Sequence, residues 1–113
     1  MILRNDAGMT PGKMASQASH AAVQASLDCL GRAPDRFKRY QDGTFGTKVV
    51  LHADELKMRW LFELATERQI PCALIEDSGH AAFHDGRPTT TALGIGPIQR
   101  HEMRELKKLE LVK

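Results

Sequence analysis

The chain has 113 residues, of which 42% are hydrophobic and 27% are charged. This composition is typical of an ordinary globular domain and argues against a disordered chain. No apolar run reaches the roughly 20 residues needed to span a bilayer, and the first six residues become polar too early for a signal peptide. We therefore expect one domain over residues 1–113, with a cytoplasmic location and no membrane contact.

The formal net charge is +2, but the charges are unevenly distributed. Residues 1–48 carry seven Lys or Arg against four Asp or Glu, residues 49–85 carry three against seven, and residues 86–113 carry six against three. Two basic ends would attract an anionic partner if they converge in space, whereas solvated helix faces and loops are the alternative interpretation.

The two cysteines also bear on the cellular compartment. Cys29 and Cys72 stand in apolar stretches, and they show neither a CxxC spacing nor a zinc-finger interval to a histidine. This pattern predicts two free, buried thiols that act as small hydrophobic residues, as is common in cytosolic proteins.

Local signals predict the elements in chain order. Strands are predicted at residues 1–4, 47–53, 72–76, 89–95 and 109–112. A first helix has Thr10 as its cap and Pro11 in its first turn, contains residues 14–30, and stops at Gly31. Residues 32–46 are expected to form a basic loop with one helical turn. Asp54 caps a second helix that ends near residue 69, and residues 98–108 form a last helix.

This order predicts an α/β fold, a single layered domain with a mixed four- or five-stranded sheet and helices on both faces. The sequence contains neither GxGxxG nor GxxxxGK[ST], which argues against dinucleotide or P-loop chemistry. His80 and His84 are four residues apart, but glycine and proline nearby disfavour a helix in that segment, so we expect no metal site.

One face of the first helix has an unusual composition. Lys13, Gln17, His20 and Gln24 are spaced four, three and four residues apart and therefore share a face. A solvent-facing stripe normally carries long charged side chains. Lys13 lies in the first turn, where helix N-termini bind phosphates and oxyanions. This face is a candidate site, and the alternatives are an exposed lysine and a partly buried histidine with ordinary structural roles.

Asp77 follows directly after the apolar strand predicted at residues 72–76. Ligand sites in open α/β sheets lie at the carboxyl ends of strands, so this position suits a catalytic or ligand-binding side chain. Glu76 is expected to point to the opposite face. The alternative is an aspartate that begins a turn before Ser78 and Gly79.

Four motifs of this sequence together resemble one known family. They are Arg4-Asn5-Asp6 with Met9, Gly12-Lys13-Met14-Ala15, Gln17 and His20-Ala21; Lys48-Val49-Val50-Leu51; Ile70-Pro71 with Leu74-Ile75-Glu76-Asp77-Ser78-Gly79-His80; and Pro88-Thr89-Thr90-Thr91 with Gly94-Ile95-Gly96-Pro97. In this order and spacing the chain resembles the second, archaeal- and eukaryotic-type family of peptidyl-tRNA hydrolases. The resemblance runs from the first strand to the last helix.

The resemblance implies hydrolysis of the ester between a peptide's carboxyl carbon and the ribose of the terminal adenosine of a tRNA. It implies tRNA as partner, no cofactor and a homodimer. For this chemistry Asp77 would orient or deprotonate water, Lys13 would stabilise the oxyanion or hold the terminal phosphate, His20 would shuttle a proton, and Gln17 would orient the substrate or Lys13. Further substrate contacts are expected from Ser78, Thr89 and Thr91 and, along the tRNA backbone, from Arg32, Arg36, Lys38, Arg39 and Arg87.

The chain departs from the family pattern in the loop after Asp77. Ala81 and Ala82 stand where the family usually has threonine, often followed by glutamate, so Thr89 or Thr91 would have to supply a hydroxyl. The alternative function is therefore a homologue with weakened catalysis that binds RNA or a protein partner. Retention of both Lys13 and Asp77 favours the enzyme, because an RNA-binding module has little use for an aspartate beside an anionic ligand.

Overall fold

The structure, a computed structural model, describes residues 1–43, 46–77 and 88–113. The strands of its sheet are β1 (Ile2–Arg4), β2 (Leu51–Ala53), β3 (Cys72–Asp77), β4 (Thr89–Ile95) and β5 (Glu110–Leu111). The helices are α1 (Pro11–Arg32), α2 (Pro34–Asp42) and α3 (Glu55–Glu67), and two short 3-10 helices span Arg100–Glu102 and Arg104–Lys108.

The five strands form one mixed sheet in the order β3-β4-β1-β2-β5. β1 and β2 are parallel, whereas β4 is antiparallel to both β1 and β3. Strands β1, β2 and β3 therefore end at the same edge of the sheet, with Arg4, Ala53 and Asp77 as their last residues. We call this edge the carboxyl end of the sheet.

Each face of the sheet is covered by a helix. On one face, Ala21 of α1 packs with Leu3 and Ala92. On the other face, α3 contributes to a larger cluster of buried residues that includes Ile2, Met58, Leu61, Leu93 and Met103. Neighbouring strand residues thus enter opposite cores, as the alternation of a strand requires. The predicted α/β class, with a mixed sheet and helices on both faces, is confirmed.

Helix α1 lies very close to the sheet at Gly94. A Cβ atom added to Gly94 would come within 2.2 Å of the carbonyl oxygen of Ala21 and 2.9 Å of the Cβ of Ala25. The helix can approach this closely only because alanines face a glycine. The small side chains on this face of α1 therefore make the close packing possible.

The end of α1 differs from the prediction. The helix continues through Gly31 to Arg32, and the next residue, Ala33, leaves helical geometry with φ −143° and ψ 66°. Ala33 precedes Pro34, and a residue before proline is disfavoured in the helical region. The stop predicted at Gly31 was wrong because the proline, and not the glycine, terminates the helix.

Two further predictions were wrong about secondary structure. Residues 34–42 form a nine-residue helix where a basic loop with a single turn was expected. The last predicted helix is divided into two 3-10 helices at Met103, which is 2% exposed and has a backbone with φ −141° and ψ 77°. Burial of this methionine in the core interrupts the helical path.

Both cysteines are free and buried, as predicted. Burial raises the pKa of each thiol, which keeps both in the neutral form at physiological pH. Within the described ranges, no helix has the length and apolar character needed to cross a membrane.

Candidate active site

Lys13 and Asp77 meet at the carboxyl end of the sheet. The Nζ of Lys13 lies 3.1 Å from Oδ1 of Asp77, and the two side chains are only 18% and 11% exposed. Thr10 caps α1 by accepting the backbone N–H of Lys13 at 3.2 Å, which fixes Lys13 in the first helical turn. Asp77 is the last residue of β3. The structure thus brings together a cation and a carboxylate that are 64 positions apart in the sequence.

Asp77 points to the α1 side of the sheet because of its position in β3. Ile75, two residues earlier, packs into the cluster beneath α1, and side chains two apart in a strand share a face. A bulge lies between Ile75 and Glu76, beyond which Asp77 pairs with Thr89 of β4. Bulges redirect strands and are frequent next to active sites. Thr89, one of the predicted substrate contacts, is therefore the direct cross-strand neighbour of Asp77.

Gln17 lies one turn after Lys13 and is almost fully buried, with 1% of its surface exposed. Its Oε1 accepts a hydrogen bond from the hydroxyl of Thr91, which is itself fully buried. Because the oxygen is engaged by Thr91, the amide Nε2 is the end of Gln17 that can serve the site. Thr91 lies beneath Gln17, so in this structure it holds that side chain rather than facing solvent.

An ion network at the carboxyl end of the sheet, on the α3 side, was not anticipated from the sequence. Arg4 contacts Asp6 at 2.8 Å and Glu55 at 3.3 Å, and it donates to the backbone carbonyl of Thr90 at 3.1 Å. Arg59 donates to the hydroxyl of Thr90 at 2.7 Å. The hydrogen bond between Arg4 and Asp6 raises the pKa of the guanidinium and lowers that of the carboxyl.

This network ties Thr90, near the start of β4, to β1 through Arg4 and to α3 through Arg59. The sequence did contain a signal, because Arg4 and Asp6 belong to the first family-like motif. The low exposure of the Arg4 side chain, 12%, depends on α3 and β4 and could not be inferred from the motif alone.

An open groove of about 800 Å³ runs along β3 from Cys72 to Asp77. Side chains of α1, including Gln17, His20 and Gln24, line one wall, and Phe62 of α3 contributes to the other. His20 is exposed and lies seven residues beyond Lys13, which corresponds to about 10 Å along the helix. The groove thus joins the Lys13–Asp77 pair to His20, although His20 lies well away from the pair along α1.

The predicted tRNA-contacting residues of α1 and α2 lie far from this pair. Helix α1 has 22 residues, so its C-terminal end is about 30 Å from Lys13. Arg32 pairs with Asp28 at 2.6 Å, and Lys38 pairs with Asp42 at 2.9 Å. Arg39, a third member of this group, is exposed.

Arg36 has a different environment from its neighbours. It makes two hydrogen bonds to Glu102, at 2.7 and 2.9 Å, and one to the carbonyl of Pro97 at 2.9 Å. The bond to Arg36 holds the pKa of Glu102 below its usual range. Arg36 therefore fastens α2 to residues 97–102 and brings parts of the two basic stretches together, at the expense of its own availability to a phosphate.

Several residues predicted from the sequence lie outside the described residues. These are Ser78 and Arg87, both predicted to contact substrate, and the loop positions His80, Ala81, Ala82 and His84. Among residues 1–43, 46–77 and 88–113, no group of three or more His, Cys, Asp or Glu side chains is arranged to hold a metal ion.

Known proteins are similar to this chain along most of its length. The family model described as Peptidyl-tRNA hydrolase PTH2 matches residues 1–112. A peptidyl-tRNA hydrolase of Thermococcus onnurineus is 39% identical over 101 residues, which cover 86% of this chain and 80% of the relative. That of Methanococcus maripaludis is 33% identical over 109 residues, covering 96% and 91%. That of Methanocaldococcus jannaschii is 33% identical over 97 residues, covering 86% and 83%. The chain therefore belongs to the Peptidyl-tRNA hydrolase PTH2 family.

Proposed function

We propose that this protein hydrolyses the ester bond of peptidyl-tRNA and releases the peptide and free tRNA, with Lys13 and Asp77 at the reacting bond. The observation that carries the proposal is their 3.1 Å ion pair at the carboxyl end of the sheet. Family membership supplies the substrate class. We infer a cytoplasmic location, because this substrate arises during translation.

Ester hydrolysis requires an activated water, a stabilised oxyanion and a protonated leaving group. In our proposal Asp77 accepts a proton from a water molecule, whose oxygen adds to the carbonyl carbon of the peptide. The negative charge that develops on the carbonyl oxygen faces Nζ of Lys13. The bond to the ribose oxygen then breaks, and this oxygen takes up the proton that Asp77 accepted, which gives a tRNA with a free ribose hydroxyl and regenerates the Asp77 carboxylate. The peptide acid loses its remaining proton to solvent.

The side chain of Lys13 supplies most of the positive charge at this site. Pro11 has no N–H, and the backbone N–H groups of Lys13 and Met14 are occupied by the side chain and the carbonyl of Thr10. In the first turn of α1, the N–H of Gly12 is therefore the backbone donor that remains for an anion. The helix end alone is thus a weak anion site, which explains why a cationic side chain is needed there.

Gln17 is well placed to orient the acyl group. Thr91 occupies its carbonyl oxygen, and its amide N–H groups can then donate toward the substrate from a fixed position. The role of His20 as a proton shuttle stays a prediction. Its distance of about 10 Å along α1 from Lys13 means that a proton would have to pass through water.

The test is cleavage of N-acetyl-aminoacyl-tRNA by the wild type, Lys13→Ala and Asp77→Asn. We expect each substitution to lower kcat/KM by about 100-fold or more, as when a catalytic base or an oxyanion donor is removed. Lys107→Ala and Glu67→Gln are matched controls, because both residues are exposed and belong to elements other than α1 and β3, and they should cleave like the wild type. A wild type that binds tRNA but cleaves no faster than the two site variants would instead make the protein a non-catalytic binder.

We also infer that the exposed basic residues beyond the end of α1 contact the tRNA backbone. Arg39 is the best candidate, since Arg32, Arg36 and Lys38 have carboxylate partners. Loss of one phosphate contact reduces the salt dependence of binding by about one unit of slope. Arg39→Gln should show this change in tRNA binding measured from 50 to 200 mM salt, and an unchanged slope would remove Arg39 from the interface.

A homodimer is the last part of the proposal. Val23, Leu27 and Leu30 form a stripe on the outer side of α1, and they are 56%, 55% and 47% exposed. A row of apolar side chains at helical spacing suits burial against a second copy of the helix. Light scattering at micromolar concentration should give twice the mass of the chain for the wild type and a smaller mass for Leu27→Gln. A monomeric wild type would contradict the proposal.

A further inference from the structure

The outer edge of β3 is open to the groove. In the described part of the chain the sheet ends at β3. The carbonyl of Pro71 accepts the N–H of Gly96 at 2.8 Å and therefore faces β4, whereas the N–H of Cys72 points outward and donates to Asp28 at 3.1 Å. Backbone groups of alternate residues in a strand point to the same side, so those of Leu74 and Glu76 also face away from β4.

The bulge in this region does not change that pattern. Ile75 pairs with Ala92 and Glu76 pairs with Thr90, so the extra residue, Thr91, belongs to β4. β3 itself keeps its regular alternation. The carbonyl of Cys72 and both backbone groups of Leu74 and Glu76 thus form a row along one side of the groove.

We propose that the peptide part of the substrate binds along this edge as an additional strand next to β3. The inference rests on the proposed function, which puts the ester bond beside Lys13 and Asp77. Asp77 lies at one end of the groove and Cys72 at the other. The peptide leaves the ester carbonyl from its C-terminal residue, so its C-terminus lies near Asp77, its earlier residues lie toward Cys72, and it runs parallel to β3.

The structure also sets the length of this subsite. A strand rises about 3.3 Å per residue, and the open row extends from Cys72 to Glu76, so it accommodates about four peptide residues. The carboxylate of Asp28 occupies the outward N–H of Cys72 and closes the row at that end. Peptide residues beyond the fourth would extend past the edge of the sheet.

Main-chain recognition suits this substrate class. Abandoned peptidyl-tRNAs carry peptides of any sequence, and hydrogen bonds from an added strand depend on the peptide backbone and not on its side chains. The open shape of the groove leaves room for different side chains between the α1 wall and Phe62. The subsite would therefore bind peptides irrespective of their amino-acid sequence.

The experiment measures kcat/KM for one tRNA that carries N-acetylated chains of one to six alanines. We expect kcat/KM to rise by about fivefold for each main-chain hydrogen bond added, and to become constant beyond about four residues. In the tetrapeptide, N-methylation at positions that face β3 should lower kcat/KM by about fivefold, and N-methylation at the intervening positions should not.

The matched variants are Glu76→Pro and Glu76→Ala. Proline removes the outward N–H, which an edge strand tolerates, whereas alanine removes only the exposed side chain. The readout is the ratio of kcat/KM for the tetrapeptide to that for the single residue, so a general disturbance near Asp77 cancels. Glu76→Pro should lower this ratio by about fivefold, and Glu76→Ala should preserve it.

The outcomes separate this inference from the proposed function. Cleavage of all substrates at one rate, or equal sensitivity to N-methylation at every position, overturns the added strand and leaves the proposed function intact. Cleavage of none overturns both. If Glu76→Pro fails to fold, the methylation pattern decides. A flat length series together with dissociation of a dimer by Glu76→Pro would show that a second copy covers the edge, and this too would overturn the proposal.

Discussion

Gly94→Ala should disturb the active site from a position beneath α1. The added Cβ would lie 2.2 Å from the carbonyl oxygen and 2.8 Å from the carbonyl carbon of Ala21. Carbon atoms pack at about 3.5–4.0 Å, so α1 must move by about 1 Å. Both contacts are with backbone, which cannot rotate away as a flexible side chain would. Overpacking of this kind costs about 1–3 kcal/mol in the free energy of unfolding.

The displacement matters for activity because α1 carries Lys13 and Gln17, whereas Asp77 belongs to the sheet. A misplacement of about 1 Å can reduce a catalysed rate by about 100-fold. We expect Gly94→Ala to lower kcat/KM for peptidyl-tRNA by about that factor and to lower the free energy of unfolding in urea. Lys13 and Asp77 themselves are unchanged in this variant, so the loss would report the helix position.

Gly31→Ala is the matched control on the same helix. An added Cβ at Gly31 would have no heavy atom within 4 Å, and replacement of a helical glycine by alanine stabilises a helix by up to about 1 kcal/mol. This control should unfold at a higher urea concentration and cleave like the wild type. A Gly94→Ala variant with wild-type stability and activity would refute the close approach of α1 to β4 and the argument built on it.

Three further predictions concern side chains around the site and in α2. Thr91→Val leaves the buried oxygen of Gln17 without its hydrogen-bond donor, so the free energy of unfolding should fall by about 1–3 kcal/mol and kcat/KM should fall as well. A variant with wild-type stability and kcat/KM would contradict the role given to this hydrogen bond. Arg36→Met removes the partner that lowers the pKa of Glu102, so the wild type should be more stable than the variant above the ordinary carboxyl pKa of 4.5. This stability difference should shrink as the pH falls through the lowered pKa of Glu102. A difference in urea stability that is constant from pH 7 to 3 would contradict the prediction. His20→Gln should remove one inflection from the pH profile of kcat if His20 shuttles the proton, and an unchanged profile would exclude that role.

Elements with local signals were predictable from the sequence. Thr10 and Asp54 were expected to cap helices, and each side chain accepts a backbone N–H three residues later. The strand predicted at Thr89–Ile95 has those bounds in the structure. Caps and β-branched runs act through neighbours in the chain, so their effect can be inferred without knowledge of the fold.

Elements that depend on distant contacts were not predictable in this way. Helix α2 is anchored by Arg36, whose partner Glu102 is 66 residues away. The break between the two 3-10 helices follows from burial of Met103 in the core. In both cases tertiary packing overrides a local preference, and no pattern within the segment reports the partner.

The polar face of α1 shows how such a partner can still be inferred in favourable cases. Lys13, Gln17 and His20 share a face, yet Gln17 is buried whereas His20 is exposed, because the face lies over the edge of the sheet. A threonine at position 91, within a buried strand, needs a hydrogen-bond partner, and an amide on a helix packed against that strand can provide it. The buried threonine and the buried glutamine thus provide each other's hydrogen-bond partner. Thr91 of β4 fixes Gln17, and β4 also carries Thr89 opposite Asp77, so one strand positions both sides of the site.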